Sequence, residues 1–170
     1  MENTNTKKFK PTICECCKQT TDYALNLDKG TAHIMIAIAN AVKFKNLNRV
    51  HLRNDMEANA KDFSNYREMI SEGRITSRMI DNILRAKYHG LVAQVDGGGA
   101  GEYLLTPKGA RFLKGEPMPR TAVVDKATHS KKYYYDEDDK VTIFELLRKE
   151  EMWDIPQFTV EHEQQQNLFS

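Results

Sequence analysis

The chain has 170 residues, 40% of them hydrophobic, and a net charge of +1, so it can form one modest core or two very small domains. It contains no apolar run near the ~18 residues that span a bilayer, and its lysine-bearing start has no apolar segment behind it. We therefore expect neither a transmembrane segment nor a signal peptide, and predict a cytoplasmic location. Residues 1–120 carry 19 Lys and Arg against 13 Asp and Glu, whereas residues 121–170 carry 6 against 11. A basic body with an acidic tail favours nucleic-acid contact.

All three cysteines lie within four residues, in the segment ICECCK. Because no distant cysteine can pair with them, they indicate a reduced compartment and no disulfide framework. Cys14 and Cys17 have the spacing of a zinc knuckle, and the segment resembles half of a zinc ribbon. A closed zinc site needs two more ligands, for which His33, His51 and Cys16 are the candidates. Two interpretations follow: a zinc ion held by Cys14 and Cys17, or free thiols in an N-terminal extension.

Two helices are predicted in the first half of the chain. Residues 31–44, TAHIMIAIANAVKF, are apolar nearly all round, which predicts a deeply buried helix with Asp28 or Thr31 as its N-cap. The segment NRVHL then alternates between polar and apolar residues, as a short strand does. Residues 55–72 predict a second helix, ended by Gly73.

A third helix and a hairpin follow. Residues 76–89 predict an amphipathic helix with Thr76 as its N-cap. LVAQV and YLLT alternate as strands on either side of DGGGAGE, a segment rich in residues that tolerate positive φ, so they predict a hairpin. PKGARFLK predicts a short closing helix with Pro107 in its first turn.

The sequence changes character after Gly115. Residues 116–132 contain two prolines and little periodicity, which predicts a linker. Residues 133–170 predict a C-terminal extension with strand-like tyrosines, an acidic turn, a helix over 143–152 and a disordered tail. Thr142 and Glu145 form a capping-box pattern at the start of that helix. Its apolar surface must pack against the rest of the chain or against another protein.

The run GRITSRMIDNILRAKYHGLVAQVDGGGAGEYLLTPKGARFL has the order helix, strand, glycine-rich turn, strand, helix. With the helix, strand and helix before it, this order resembles the winged-helix members of the helix-turn-helix superfamily, where the pattern Y-x-L-T-x-x-G also recurs. The resemblance covers about half of the chain. It implies an α+β fold: a winged helix over residues 28–115, with a three-helix core and a β-hairpin wing. The Cys-containing N-terminal extension, 1–27, precedes it, and the linker and the small strand and helix extension follow it.

In helix-turn-helix proteins, the helix that precedes the wing lies in the major groove. On the helix over 76–89, successive polar residues are spaced by four, three and four positions: Arg78, Asn82, Arg85 and His89. An α-helix places them on one face, here called the polar stripe. Arginine can make two bonds to guanine and asparagine two to adenine, and residues near the helix start can hold phosphates. The predicted nucleic-acid-binding residues are Arg78, Asn82, Arg85 and His89 for the groove, Arg74, Thr76 and Ser77 for phosphates, and Lys87 for a further backbone contact.

Two features of this region oppose DNA contact. Asp81 lies beside the polar stripe and would repel phosphate. The predicted wing has no Lys or Arg between Ala93 and Thr106. These features favour a second hypothesis of another class, a protein-binding adaptor or inhibitor built on the same scaffold, because winged helices also serve as protein-binding modules.

The chain shows no constellation of catalytic residues, and we expect no enzyme. The first hypothesis is a non-enzymatic DNA-binding protein, a regulator or accessory factor, whose partner is double-stranded DNA. Its size and polar tails are similar in style to small proteins of bacteriophages and mobile elements. The C-terminal helix offers a contact to a host protein or to a second copy, and a homodimer would suit palindromic sites. RNA binding is a third hypothesis, for which the predicted core offers no platform of stacking aromatic residues.

Overall fold

A computed structural model of the chain describes residues 9–59, 65–95 and 101–147. These residues form a mixed α+β fold with antiparallel sheets, as the sequence predicted at that level. The helices are α1 Lys29–Lys45, α2 Tyr66–Ser71, α3 Ile83–Tyr88, α4 Pro107–Leu113 and α5 Ile143–Leu146, with a π-helical turn Leu52–Met56 and a 3₁₀ turn Ser77–Asn82. The strands are β1 Asp22–Asn26, β2 Val50–His51, β3 Val92–Gln94, β4 Glu102–Leu105, β5 Met118–Pro119, β6 Thr121–Asp125, β7 Ser130–Tyr134 and β8 Lys140–Val141.

The core is built around α1. Residues 31–42 of this helix are all buried, as expected for a helix that is apolar nearly all round. The side chain of Asp28 accepts a hydrogen bond from the backbone N–H of Thr31 at 2.8 Å and caps the helix start. Asn46, in the left-handed region, ends it. The predicted buried helix is confirmed.

One three-stranded sheet packs with the helices in the order β2-β4-β3. Val50 pairs with Tyr103, and Val92 pairs with Leu105, all antiparallel. This sheet confirms the predicted short strand and the paired strands of the predicted hairpin, whereas residues 96–100 of its glycine-rich turn lie outside the described ranges. The closing helix α4 also forms, and a Cβ on its Gly109 would stand 2.0 Å from the carbonyl oxygen of Leu91. Only glycine lets α4 approach the hairpin this closely.

The prediction of one helix over residues 55–72 is wrong. The chain forms the π-helical turn, then an extended stretch, and α2 begins only at Tyr66, capped by Asn65. In the extended stretch, Glu57 bridges to Ile75 in parallel, and the N–H of Ala58 donates to the carbonyl of Ile75. This tertiary pairing uses backbone groups that a helix would need internally. Residues 60–64 lie outside the described ranges.

A second three-stranded sheet has the order β1-β6-β7. Its central strand β6 lies inside the predicted linker, so a linker without regular structure is wrong there. Val123 and Val124 of β6 are fully buried, and the strand pairs along its whole length with β1, in the predicted N-terminal extension. The short AVV run does not by itself predict a strand. Its pairing partner β1 lies about a hundred residues earlier in the chain, so the pairing leaves no local sequence pattern.

The C-terminal elements join the same body. Met118 of β5 pairs with Val141 of β8, and Thr142 and Glu145 form the predicted capping box at the start of α5. The helix predicted over 143–152 is too long, because Leu147 is extended, with ψ of 151°. Ile143 and Leu147 lie in the main core. The remainder of the predicted helix and the tail lie outside the described residues. Among the helices of the described ranges, none is long and apolar enough to cross a membrane.

Candidate nucleic-acid interface

The helical segment before the hairpin is not one continuous α-helix. Residues 77–82 form a 3₁₀ turn, and only residues 83–88 form α3. In a continuous α-helix, at ~100° per residue, Arg78 and His89 would lie roughly 20° apart around the axis. The 3₁₀ turn advances ~120° per residue, which moves them roughly 120° apart. The prediction that the four polar residues share one face is therefore wrong.

The start of the segment presents its polar residues to solvent. Ser77 and Arg78 are exposed, and Arg78 forms no ion pair within the described residues. Thr76 occupies the N-cap position, without a side-chain capping bond, and is half-buried. Arg74 is different, since its Nη2 donates to the carbonyl oxygen of Glu57 at 3.0 Å and ties the segment to the extended stretch. Ser77 and Arg78 are thus the predicted residues most accessible to a nucleic acid.

The end of the segment is covered by β1 and the start of α1. The side chain of Asn82 packs on Gly30, where a Cβ would stand 2.7 Å from its Nδ2. Arg85 donates from Nη1 to the carbonyl of Asn26 at 3.0 Å, and its Nε lies 3.5 Å from Oδ2 of Asp28. These contacts direct two of the predicted groove residues into the molecule.

His89 is the most deeply buried of the predicted residues, with 1% of its surface exposed. Its Nε2 donates to the carbonyl oxygen of Leu25 at 2.9 Å. Burial and, to a smaller extent, the nearby charges of Lys108, Lys131 and Arg85 lower the pKa of His89 to about 4, although the bond to Leu25 acts in the opposite direction. The imidazole is therefore neutral at pH 7 and holds β1 against the end of α3.

The solvent-facing side of α3 has a mixed character. Leu84, an apolar residue of this helix, is 47% exposed, and Asp81 is also exposed. Lys87 donates from Nζ to Oε1 of Gln94 at 3.0 Å, so it links the helix to β3. The exposed face therefore carries one cation, one carboxylate and one large apolar side chain: Arg78, Asp81 and Leu84.

Two further lysines converge on one tyrosine where the second sheet meets α4. Lys108 donates from Nζ to the hydroxyl of Tyr134, which in turn donates to the carbonyl of His89 at 3.2 Å. Lys131 lies over the same ring, with Nζ 4.1 Å from its centroid, and Nζ of Lys108 lies 4.7 Å from it. Burial and the charge of Arg111 lower the pKa of Lys108. Neither lysine is among the residues predicted from the sequence, in which the run KKYYY, containing Lys131, is the only local signal.

No carboxylate of the described residues balances the charge of these lysines. Neither Lys108 nor Lys131 forms an ion pair with a residue of the described ranges. The next residue along β7 provides a contrast, because Nζ of Lys132 lies 3.5 Å from Asp22 and 3.7 Å from Asp125. Within the described residues, Lys131 therefore keeps an uncompensated positive charge, whereas two carboxylates offset the charge of Lys132.

The cysteine cluster lies on a tight turn closed by a bridge between Ile13 and Thr20. Cys14 Sγ lies 3.2 Å from Cys16 Sγ. Hydrogen bonds to the Cys14 sulfur, first from the backbone N–H of Cys17 and then from the Cys16 thiol, lower its pKa to about 7.

The two candidate histidine ligands are engaged elsewhere. Nδ1 of His33 bonds to the hydroxyl of Tyr66 at 3.1 Å, and Nδ1 of His51 accepts from the N–H of Asn54. Within the described ranges, no group of three or more His, Cys, Asp or Glu is arranged to hold a metal ion. Zinc on Cys14 and Cys17 stays a prediction.

No protein-family model, no curated protein and no solved structure matches this chain. The inference of its function therefore depends on its own geometry. Among the described residues, cations lie near both ends of the helical segment: Arg78 at its start, and near its end the pair Lys108 and Lys131, on the tyrosine that bonds to His89. A 3₁₀ turn rises ~2.0 Å and an α-helix ~1.5 Å per residue, so the axial distance from Arg78 to His89 is roughly 19 Å.

Proposed function

We propose that the chain binds double-stranded DNA with a winged-helix domain formed by α1 to α4 and the sheet β2-β4-β3. The observation that carries the proposal is the order of elements: helix, strand, helix, helix, hairpin, helix, with β4 between β2 and β3. In winged helices, the helix before the hairpin is the one that enters the major groove. Arg78 is exposed near the start of that helical segment, where recognition helices contact base edges.

The DNA contact we propose uses fewer residues of the helical segment than the sequence predicted. Because β1 bonds to Arg85 and His89, only the start of the segment is open to a groove. Ser77 is placed to hold a phosphate and Arg78 to bond a guanine edge. Base-specific contacts are correspondingly few, so phosphate contacts supply most of the binding free energy.

Lys108 and Lys131 are the proposed phosphate contacts at the other end. The two ammonium groups beside one aromatic ring repel each other, and an anion between or beside them offsets this repulsion. A DNA phosphate supplies that charge, and each phosphate neutralised releases condensed counterions. His89 is neutral, so it bonds to Leu25 of β1 without adding a third cation to the pair Lys108 and Lys131.

The first test is fluorescence anisotropy of a labelled random duplex titrated with the full chain at several salt concentrations. We expect Arg78→Ala to weaken binding about 10-fold and Lys131→Gln to reduce the salt slope by about 1. Lys132→Gln and Arg120→Ala are the matched controls, since both residues form ion pairs with carboxylates. Equal losses in Arg120→Ala and Arg78→Ala, or wild-type protein that does not bind at low salt, would contradict the proposal.

A second candidate function is a protein-binding adaptor or inhibitor on the same scaffold. The exposure of Leu84 in the middle of the solvent-facing side, next to Asp81, favours it, because interfaces bury apolar anchors. Leu84→Ser separates the two candidates. Under DNA binding, the substitution leaves duplex affinity nearly unchanged. Under protein binding, wild-type protein does not bind duplex, and the variant loses a partner that the wild type retains in a quantitative pull-down.

A further inference from the structure

The turn that carries the cysteines brings two sulfur atoms into contact. Sγ of Cys14 and Sγ of Cys16 are 3.2 Å apart, and a disulfide bond is ~2.05 Å long. The backbone that holds them is fixed by two hydrogen bonds, from the N–H of Cys14 to Gln19 and from the N–H of Lys18 to the carbonyl of Cys14, each 2.9 Å. Bond formation must therefore close ~1 Å between two side chains of the same turn.

The turn is anchored to the folded body and is still open to small reagents. The N–H and the hydroxyl of Thr12 donate to the two carboxylate oxygens of Asp22 at 2.8 and 2.9 Å, and Asp22 is 1% exposed. Cys16 is exposed and Cys14 is half-buried. All cysteines of the chain are in this cluster, so no other thiol of the same molecule competes.

Contact between their sulfur atoms distinguishes Cys14 and Cys16 as a pair. Cysteines that sense oxidants combine an accessible thiol with a neighbouring thiol that resolves the first oxidation product. Cys16 is exposed, and the sulfur of Cys14 touches it, so each cysteine of the pair can resolve the oxidation of the other.

We propose that Cys14 and Cys16 form a dithiol site that hydroperoxides oxidise to an intramolecular disulfide. The thiolate of one cysteine of the pair attacks a peroxide oxygen, the O–O bond breaks, and water or an alcohol leaves with the proton, which gives a sulfenic acid on that cysteine. The thiol of the other cysteine then attacks this sulfur, the S–O bond breaks, and water leaves. Two thiols lose two electrons and two protons, and the hydroperoxide is reduced. Two equivalents of a small thiol restore the dithiol by exchange and become joined in a disulfide.

The test treats the full, reduced chain with stoichiometric hydrogen peroxide, with and without prior treatment with a chelator. We expect the mass to fall by about 2 Da and one free thiol to remain of the three. Cys17→Ser should still form the disulfide. Cys16→Ser should form a disulfide at least about 10-fold more slowly and accumulate a sulfenic acid that a 1,3-dione traps.

Three outcomes would overturn this inference. The first is a disulfide that survives in Cys16→Ser and disappears in Cys17→Ser. The second is oxidation that adds oxygen to the wild-type chain without removing hydrogen. The third is a thiol set that resists peroxide until the chelator is present. None of these outcomes depends on whether the chain binds DNA.

Discussion

The two ends of the helical segment over residues 77–88 have opposite environments. At its start, Ser77 and Arg78 face solvent, whereas at its end Arg85 and His89 bond to backbone carbonyls of β1. Both ends carry residues that a polar stripe would offer to a nucleic acid. The comparison shows that polar residues of one helical segment can bond to a second sheet instead of facing solvent. Residue type alone therefore does not identify an interface.

The largest expected effect comes from breaking the contact between the second sheet and α3. Ala122 is fully buried, and it lies in register with Leu25 and Tyr134, whose backbone and hydroxyl oxygens bond to His89. Ala122→Asp buries a charge without a partner and should cost about 3–5 kcal/mol of the free energy of unfolding. Urea denaturation measures this loss.

Ala127→Asp is the matched control for this substitution. It makes the same change in the exposed turn between β6 and β7 and should stay within about 0.5 kcal/mol of wild type. Hydrogen exchange adds a local measurement: in Ala122→Asp, the amides of residues 83–89 should exchange faster than those of α1. Equal destabilisation by both substitutions would show that β6 does not hold α3.

A pH titration of stability should give the next largest effect. In the folded protein the pKa of His89 is about 4, below its ordinary value of 6.5. The unfolded chain therefore binds this proton first, so the stabilisation is complete above pH 6.5 and is lost as pH falls toward 4. The loss attributable to His89 should reach about 3 kcal/mol.

His89→Gln isolates this contribution, because the glutamine amide can donate to Leu25 and does not titrate. All other titrating groups cancel in the difference between wild type and variant. We expect the difference in unfolding free energy to change with pH between 6.5 and 4 and to be flat above pH 7. A difference that is constant across the whole range would mean that His89 is not held neutral by burial.

Smaller effects should separate the two arginines. Arg85→Ala removes the bond to Asn26 and the contact with Asp28 and should cost about 1 kcal/mol, since the side chain is partly exposed and its ion pair is screened by solvent. Thermal denaturation at fixed pH measures this cost. If the Arg85→Ala protein were as stable as wild type, the contacts of Arg85 with Asn26 and Asp28 would not stabilise this end of the segment.

The smallest effect on stability is expected for Arg78→Ala. Its side chain is exposed and has no ion pair within the described residues, so the free energy of unfolding should change by less than about 0.5 kcal/mol. The same variant should have a large effect on duplex affinity, whereas Arg85→Ala should have a small one. If both arginines affected DNA binding equally, the two ends of the segment would not differ in function.

Much of the first half of the fold was predictable because its signals are local. The apolar surround of α1, the N-cap at Asp28 and the alternating strands of the hairpin each depend on residues a few positions apart. The capping box of Thr142 and Glu145 belongs to the same class. The site was predictable only at its start, where Ser77 and Arg78 are exposed, as an amphipathic helix requires.

The sequence by itself determined which segments form these helices and strands, because the hydrogen bonds of a helix and the side-chain periodicity of both kinds of element lie within one segment. The tertiary structure alone decided that the AVV run of β6 pairs with β1, about a hundred residues earlier in the chain. It also decided the 3₁₀ start of the third helix and the burial of His89 beneath β1. These outcomes depend on which surfaces pack together when the chain folds, and the free energy of that packing depends on residues from several segments.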